Sequence, residues 1–254
     1  MGKQVTVGII GLGTVGGGTL KVLVHNKELI ASRSTPITVA KVCDLNRDRA
    51  ETLVKGLGLN ADIITNNPDD IIMNPEIDIV VELIGGIHPA KELILKALEQ
   101  GKSVVSANKD LIAAHGAEIF AMAEKMGVDF MFEPAVAGAI PIIKALKDSM
   151  AANEILQVMG IVNGTTNYIL SQMSETGADF APCLKQAQDL GYAEADPTND
   201  VEGFDAARKM AILASIAFNS NITVDQVYVE GIKNITKFDI AYAEQLGYTI
   251  KLLG

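Results

Sequence analysis

Residues 5–16, Val-Thr-Val-Gly-Ile-Ile-Gly-Leu-Gly-Thr-Val-Gly, place an apolar run directly before three glycines in the spacing GxGxxG. The apolar run predicts a buried strand over Val5–Ile10, and a helix is predicted from Thr14 to about Asn26. In this strand–turn–helix order, the glycines allow a tight turn and a close approach of the backbone to a pyrophosphate. Glycines also mark ordinary tight turns, but this context favours a dinucleotide cofactor. The residues expected to contact it here are Gly11, Leu12, Gly13, Thr14, Val15 and Gly16.

Strands and helices alternate from this motif to about residue 135. Further strands are predicted over 37–42, 77–83, 103–106 and 128–132, with helices over 90–100 and 117–126. Such alternation is typical of right-handed parallel crossovers, and therefore of an α/β fold with a doubly wound, Rossmann-type parallel sheet. We therefore assign residues 1–137 to a dinucleotide-binding domain.

Residues 138–254 have a different pattern, which predicts a smaller α+β domain for substrate binding and oligomerisation. Strands are predicted over 155–162 and 249–253, and helices over 180–190, 204–218 and 239–246. The turn at 163–167 should cap a further helix. Because the sequence ends just past a predicted strand, we expect this domain to be truncated at its C-terminal end.

Asp44 ends the second predicted strand, where a carboxylate would accept hydrogen bonds from a ribose 2′-OH and favour NAD. Arg47 and Arg49 follow closely and would instead bind the 2′-phosphate of NADP. Both alternatives remain open, and NAD is slightly favoured.

Lys109 follows the strand predicted over 103–106, at the carboxyl edge of the sheet where ligands of such sheets bind. This position makes it a candidate functional residue. The simpler alternative is a helix cap at Asn108 followed by a solvated lysine.

Asp205 and Lys209 stand four residues apart on the helix predicted over 204–218, so they share one face. This helix is apolar nearly all round and should be buried. A carboxylate and an ammonium group at the mouth of a buried helix are costly unless they are paired or used. A structural ion pair is the simpler interpretation, and a catalytic pair is the functional one.

Composition excludes several classes of protein. The 254 residues carry a net charge of −10, which argues against a nucleic-acid partner, and no apolar run is long enough to predict a membrane span. Cys43 and Cys183 are the two cysteines, and their spacing fits neither a disulfide framework nor a zinc site. A cytoplasmic protein is expected.

Five segments together resemble homoserine dehydrogenase over essentially the whole chain. They are GLGTVG at 11–16, SANKDLIAAHG at 106–116, EPAVAGAIPI at 133–142, GIVNGTTNYIL at 160–170 and LGYAEADPTNDVEGFDAARK at 190–209. The last two are highly specific to that family. The resemblance implies NAD(P)-dependent interconversion of L-homoserine and L-aspartate 4-semialdehyde, a step toward threonine and methionine.

The resemblance also assigns roles to individual residues. Lys209 matches the general acid/base lysine, and Asp205 matches the carboxylate at the substrate hydroxyl. Glu194 matches the carboxylate that holds the substrate amino group. Lys109 matches a lysine that reaches both the nicotinamide end and the substrate, and Gly191 matches a backbone contact to the cofactor. Burial or a neighbouring cation would have to lower the pKa of a catalytic lysine, so the two lysines are expected to converge over the nicotinamide.

A monovalent cation, Na⁺ or K⁺, is also implied by the resemblance. Its ligands would be the main-chain carbonyls of Glu133, Val136, Gly138 and Ile140. The alternative for this segment is a plain bend between the domains.

Two features depart from the family pattern. Cys43 replaces an arginine that many relatives carry just before the residue matching Asp44, which weakens the expectation of NADP. Family members also continue well beyond Leu253. The alternative function is therefore a truncated, catalytically silent dinucleotide-binding and dimerisation module.

A phosphorylating semialdehyde dehydrogenase is rejected, because that chemistry needs a cysteine thiolate and neither Cys43 nor Cys183 is placed for it. The second half is rich in small apolar residues, and family members pair through it. A homodimer or homotetramer is therefore expected.

Overall fold

The computed structural model describes residues 4–254, so the first three residues of the expected first domain lie outside the described residues. The chain divides into two compact units, the first ending at Ala135 and the second spanning Val136–Gly254. Each unit has its own cluster of buried apolar side chains.

The first unit is built on a parallel sheet of six strands. These are β1 (Val5–Ile10), β2 (Ile37–Cys43), β3 (Ile64–Thr65), β4 (Ile79–Glu82), β5 (Ser103–Ser106) and β6 (Phe130–Met131). Their order in the sheet is β3-β2-β1-β4-β5-β6, and every neighbouring pair is parallel. This is the doubly wound order, with its switch point between β1 and β4. The predicted α/β fold with a Rossmann-type sheet is confirmed.

The strand register brings the carboxyl ends of four strands to one edge. Ile10 pairs with Cys43 on one side and with Glu82 on the other, and Glu82 pairs with Ser106. Because the strands are parallel, the loops that follow β1, β2, β4 and β5 leave the sheet side by side. This edge is where such folds bind ligands.

Six helices accompany the sheet within the described part of the first unit. They are α1 (Thr14–His25), α2 (Lys27–Arg33), α3 (Arg47–Gly56), α4 (Asp69–Ile72), α5 (Ala90–Glu99) and α6 (Lys109–Met126). Part of the core lies where α1 and α3 contribute Leu20, Ala50 and Val54 to a cluster with Val7 and Ile9 of β1. Burying these apolar side chains is the main stabilising contribution to the layer.

The second unit contains helices and irregular segments in its described residues. The helices are α7 (Ile142–Lys144), α8 (Gly164–Thr176), α9 (Phe180–Asp189), α10 (Thr198–Val201), α11 (Phe204–Ala217) and α12 (Lys237–Gln245), with a π-helical turn at 145–149 after α7. Its core contains Ile169, Leu170 and Met173 of α8, together with Ala187 of α9 and Ile240 of α12.

Four sequence predictions need correction. The strands predicted over 155–162 and 249–253 are wrong, because both segments lack regular secondary structure. Gly160 and Gly254 do exchange two backbone hydrogen bonds, at 3.0 and 2.9 Å, but a strand requires a continued ladder of such pairs. The predicted helix over 117–126 begins earlier, at Lys109, because the side chain of Asn108 caps it. The predicted strand over 128–132 is shorter, at Phe130–Met131.

None of the helices within residues 4–254 combines the length and the apolar character that crossing a membrane requires.

Candidate functional site

The glycine-rich turn after β1 is shaped by two close backbone contacts. Gly11 adopts a left-handed φ of +95°, and a Cβ there would lie 2.7 Å from the carbonyl oxygen of Leu83. A Cβ on Gly16 would lie 1.8 Å from the carbonyl oxygen of Gly11. Only glycine fits at these two positions without a shift of the backbone. A Cβ on Gly13, in contrast, would meet nothing within 4 Å, so the middle of the turn faces open space.

The start of α1 lies at this open side of the turn. Gly13 is the N-cap residue of the helix and has no side chain to satisfy the first N–H groups. Val15 in the first turn is 55% exposed. Unsatisfied N–H groups and the helix dipole together bind anions. The turn therefore fits the pyrophosphate of a dinucleotide, where the sequence places it.

Asp44, directly after β2, is buried and receives four hydrogen bonds. The backbone N–H groups of Leu12 and Asn46 donate to it at 2.7 and 2.8 Å. Nη2 of Arg49 donates to both carboxylate oxygens, at 2.9 and 2.8 Å. Burial alone would raise the pKa of Asp44, but the N–H groups of Asn46 and Leu12, with Arg49, outweigh it and hold the pKa below its usual value.

These four bonds use all the acceptor positions of the Asp44 carboxylate. A ribose 2′-OH that donates to Asp44 must therefore displace the guanidinium of Arg49. Arg47, the other candidate for a 2′-phosphate, forms an exposed ion pair with Glu51 at 3.0 Å. A surface depression lies beside it, lined by Leu45, Asn46, Arg47 and Asp48.

Lys109 is the first residue of α6 and follows the N-cap residue Asn108 at the end of β5. Asn108 is buried, and its side chain accepts from the N–H of Leu111 and donates to the carbonyl of Gly86. The helix cap that the sequence offered as an alternative is therefore present. It also fixes where the lysine leaves the sheet.

A second buried carboxylate lies at this edge, and the sequence interpretation overlooked it. Glu82, the last residue of β4, accepts from the hydroxyl of Ser106 at 2.7 Å. It also accepts from the N–H of Ile84 at 2.7 Å. The available signal was an acidic residue at the end of an apolar strand.

In the second unit, α11 carries the ion pair that the sequence predicts. Nζ of Lys209 lies 2.6 Å from a carboxylate oxygen of Asp205, and their side chains are 17% and 8% exposed. Nζ also donates to the carbonyl of Val162 at 2.7 Å. The spacing of four residues along a buried helix is sufficient to bring the two charges together.

Asn163 connects this pair to a second carboxylate. Its side-chain amide donates to Asp205 at 2.9 Å and to Asp200 at 2.6 Å. Its amide oxygen accepts from the N–H and the hydroxyl of Thr166, both at 2.8 Å, so it caps α8. The sequence indicates the cap, but it gives no sign that Asp200 belongs to the cluster.

The loop from 190 to 197 carries two further predicted residues. Gly191 has a left-handed φ of +77°, which favours glycine there. The side chain of Glu194 is exposed, and its backbone carbonyl accepts from the amide of Gln188 at 3.1 Å.

The segment predicted to bind a cation has an unusual backbone. Ala137 and Ala139 adopt left-handed φ values of +50° and +69°, which are strained for alanine. Of the four predicted carbonyl ligands, Glu133 belongs to the first unit, and Val136, Gly138 and Ile140 belong to the second. The cation site stays a prediction. Across residues 4–254, no group of three or more His, Cys, Asp or Glu side chains is arranged to hold a metal ion.

Both cysteines are free and buried. Burial, with the charges of Asp44 and Asp70, raises the pKa of the Cys43 thiol to about 11. Burial also raises the pKa of Cys183, with a contribution from Asp179. Thiols in such surroundings are poor nucleophiles. Their state supports the rejection of chemistry that depends on a cysteine thiolate.

Lys109 and Lys209 belong to different units. The convergence of their ammonium groups over a nicotinamide therefore stays a prediction.

Two family models match nearly the whole chain. Residues 11–133 match the model described as homoserine dehydrogenase, NAD binding domain, and residues 141–254 match the model described as homoserine dehydrogenase.

Individual relatives agree with these models. The homoserine dehydrogenase of Pseudomonas aeruginosa is 54% identical over 99% of this chain, which spans 57% of that enzyme. A homoserine dehydrogenase structure from Thiobacillus denitrificans is 54% identical, with a TM-score of 0.92, over 99% of this chain and 57% of that one. An Archaeoglobus fulgidus structure assigned as a homoserine dehydrogenase is 35% identical, with a TM-score of 0.88, over 99% of this chain and 80% of that one.

A hyperthermophilic archaeal homoserine dehydrogenase in complex with NADPH is 26% identical, with a TM-score of 0.73, over 92% of this chain and 75% of that one.

This chain spans little more than half the length of its Pseudomonas and Thiobacillus relatives.

Proposed function

The chain belongs to the homoserine dehydrogenase family, and from this we propose that it interconverts L-homoserine and L-aspartate 4-semialdehyde with a nicotinamide dinucleotide. It would thereby serve threonine and methionine biosynthesis. The first unit would be the dinucleotide-binding domain, and the second the substrate-binding and oligomerisation domain. The two family models favour this enzyme over a catalytically silent binding module.

The observation that carries the proposal is the state of Lys209. An ammonium group has three N–H donors, and two of them are used by Asp205 and the carbonyl of Val162. The third is left for a substrate oxygen. Asp205 and Lys209 are held on a buried helix, so the direction of this N–H is fixed before any substrate binds.

The chemistry requires one proton to move at the substrate oxygen. When bound, the nicotinamide ring supplies or accepts the hydride at the carbon that carries this oxygen. In the reductive direction, Lys209 would donate its third N–H to the carbonyl oxygen. In the oxidative direction, the neutral amine of Lys209 would take the hydroxyl proton, and Asp205 would stabilise the ammonium that forms.

Three further residues complete the proposed site. Glu194 would bind the ammonium group of the substrate, because an exposed carboxylate on a loop is available for a charged partner. Lys109, at the start of α6, would serve the nicotinamide end and the substrate. Gly191 would contact the cofactor through its backbone.

The cofactor would be NAD or NADP, with NAD slightly favoured, and would be held by Gly11–Gly16 and by Asp44. The open space at Gly13 and the uncapped start of α1 support the place of the pyrophosphate. A monovalent cation at the carbonyls of Glu133, Val136, Gly138 and Ile140 also belongs to the proposal. The left-handed backbone at Ala137 and Ala139 supports it, because strained backbone of this kind clusters at ligand-binding segments.

A homodimer or homotetramer formed through the second unit is also proposed. Exposed apolar side chains support it in the two segments that were predicted to be strands, since Leu156, Met159 and Leu253 are 83%, 67% and 57% exposed. Both cysteines are free, which agrees with a cytoplasmic location.

The test is the formation of reduced cofactor from L-homoserine, measured by absorbance, with NAD and with NADP. The 254-residue protein is compared with its Lys209→Ala variant and with a form extended to the length of its relatives. We expect the Lys209→Ala variant to lose turnover. Cofactor binding without turnover in every form would contradict the proposed activity.

A further inference from the structure

Glu82 is a buried carboxylate for which the proposed reaction has no use. It is 1% exposed. Its described partners are the hydroxyl of Ser106 at 2.7 Å and the backbone N–H groups of Ile84 and Gly85 at 2.7 and 3.4 Å. All three partners are neutral donors, so within residues 4–254 the negative charge is hydrogen-bonded but not paired with a cation.

The sheet topology places this charge at a defined part of the cofactor. The glycine-rich turn follows β1, and Asp44 follows β2 on one side of it. A dinucleotide that lies across the switch point with its pyrophosphate at β1 and its adenosine at β2 must carry its nicotinamide over β4 and β5. Glu82 and Ser106 are the last residues of those two strands.

The charge therefore lies on the side of the sheet where the redox state of the ring changes. The oxidised nicotinamide ring carries a positive charge, and the reduced ring is neutral. A fixed negative charge in a water-poor environment stabilises a positive charge more than a neutral group.

We propose that Glu82 makes the site bind oxidised nicotinamide cofactor more tightly than it otherwise would, relative to reduced cofactor. This inference rests on the proposed cofactor site at the edge of the sheet. It does not depend on the identity of the substrate. Lys109, which begins α6 at the same edge, carries the opposite charge. Because every variant keeps Lys109, the change in affinity between variants, and not the affinity itself, isolates the effect of Glu82.

The hydrogen-bond network around Glu82 provides a matched control. Ser106 donates to Glu82 and accepts from the N–H of Asn108 at 3.1 Å, and Asn108 donates to the carbonyl of Gly86. Ser106→Ala would break this network and leave the charge in place. Glu82→Gln would remove the charge and keep an acceptor for the N–H groups of the loop.

The experiment measures the dissociation constants of oxidised cofactor, reduced cofactor and ADP-ribose by calorimetry for the wild type, Glu82→Gln and Ser106→Ala. ADP-ribose lacks the nicotinamide and reports the adenosine side alone. For Glu82→Gln, we expect the affinity for oxidised cofactor to fall on the order of tenfold relative to the affinity for reduced cofactor. The dissociation constant of ADP-ribose should be unchanged in this variant. Ser106→Ala should leave the ratio of the two redox forms within about twofold of the wild type.

The inference would be overturned if Glu82→Gln left the ratio of the two dissociation constants unchanged. It would also be overturned if the variant lost the same affinity for both redox forms and for ADP-ribose, because Glu82 would then have only a structural role. If the wild type binds neither redox form, the proposed cofactor site itself fails, and the inference falls with it. Should Glu82→Gln fail to fold, Glu82→Met combined with Ser106→Ala removes the charge and its hydroxyl partner together. The same change in ratio is required of that double variant.

Discussion

Arg49→Gln should shift the balance between NADP and NAD toward NAD without disturbing the glycine-rich turn. The substitution removes the guanidinium that lies 2.8 Å from Asp44. The carboxylate keeps its bonds from the N–H groups of Leu12 and Asn46, so the turn and the start of α3 stay connected. What changes is the charge, because Asp44 is left buried and negative at the place where a 2′-phosphate would arrive.

The size of the effect follows from these charges. A phosphate monoester carries about −1.5 to −2 charges at neutral pH. Repulsion from one carboxylate at about 7 Å, in an effective permittivity of about 20 and reduced by salt, amounts to about 1.4–2.8 kcal/mol. NADPH should therefore bind roughly ten- to hundredfold more weakly. NADH gains access to the acceptor positions that Arg49 occupied, so its affinity should be unchanged or up to about fivefold higher.

Fluorescence titration of both reduced cofactors at fixed ionic strength measures these changes. Arg47→Gln is the matched control, because Arg47 lies in the same first turn of α3 but forms its ion pair with Glu51. The Arg47 variant should lower the affinity for NADPH less than the Arg49 variant does. Equal losses for NADH and NADPH in Arg49→Gln would refute the reasoning, since they would show that the arginine only stabilises the loop.

Three further substitutions and one labelling experiment test the second unit and the thiols. Lys209→Ala should remove most of kcat, whereas Glu194→Ala should mainly raise KM; steady-state kinetics separates the two, and unchanged turnover in the lysine variant would refute its assignment. Asn163→Ala should lower the free energy of unfolding by about 2–4 kcal/mol, because a helix cap is lost and the carboxylates of Asp205 and Asp200 each lose a donor. Urea denaturation measures this, and a loss within experimental error would contradict it. Burial raises the pKa of the Cys43 thiol to about 11. Alkylation of this thiol near neutral pH should therefore be far slower in the folded protein than in urea. Mass spectrometry of the labelled peptide measures both rates, and equal rates would contradict burial of the thiol.

The elements that the sequence predicts well are those whose signal is local. The strand Val5–Ile10, the glycines that follow it and the start of α1 occupy one continuous stretch, and the structure forms all three. The ion pair between Asp205 and Lys209 is equally local, because four residues complete about one helical turn.

The features that the sequence does not reveal depend on distant residues. Asn163 meets Asp200 and Asp205 across 37 and 42 residues of sequence, and Ser106 meets Glu82 across 24. Hydrophobic periodicity reports which face of an element is buried, but it does not report which polar groups meet there. The predicted strands at 155–162 and 249–253 failed for a related reason, because a strand depends on a partner that its own sequence does not specify.

Asp205 and Glu82 are both buried carboxylates, but they differ in what neutralises them, and this difference indicates different tasks. Asp205 lies against the ammonium of Lys209, so its charge is compensated within the protein and its effect would be to hold the proposed proton donor in place. Glu82 is surrounded by neutral donors, so its field extends beyond its own hydrogen bonds. A paired charge influences chiefly its partner, whereas an uncompensated charge influences any ligand that binds nearby. Removing Asp205 should therefore act on proton transfer, and removing Glu82 on the balance between the redox forms of the cofactor.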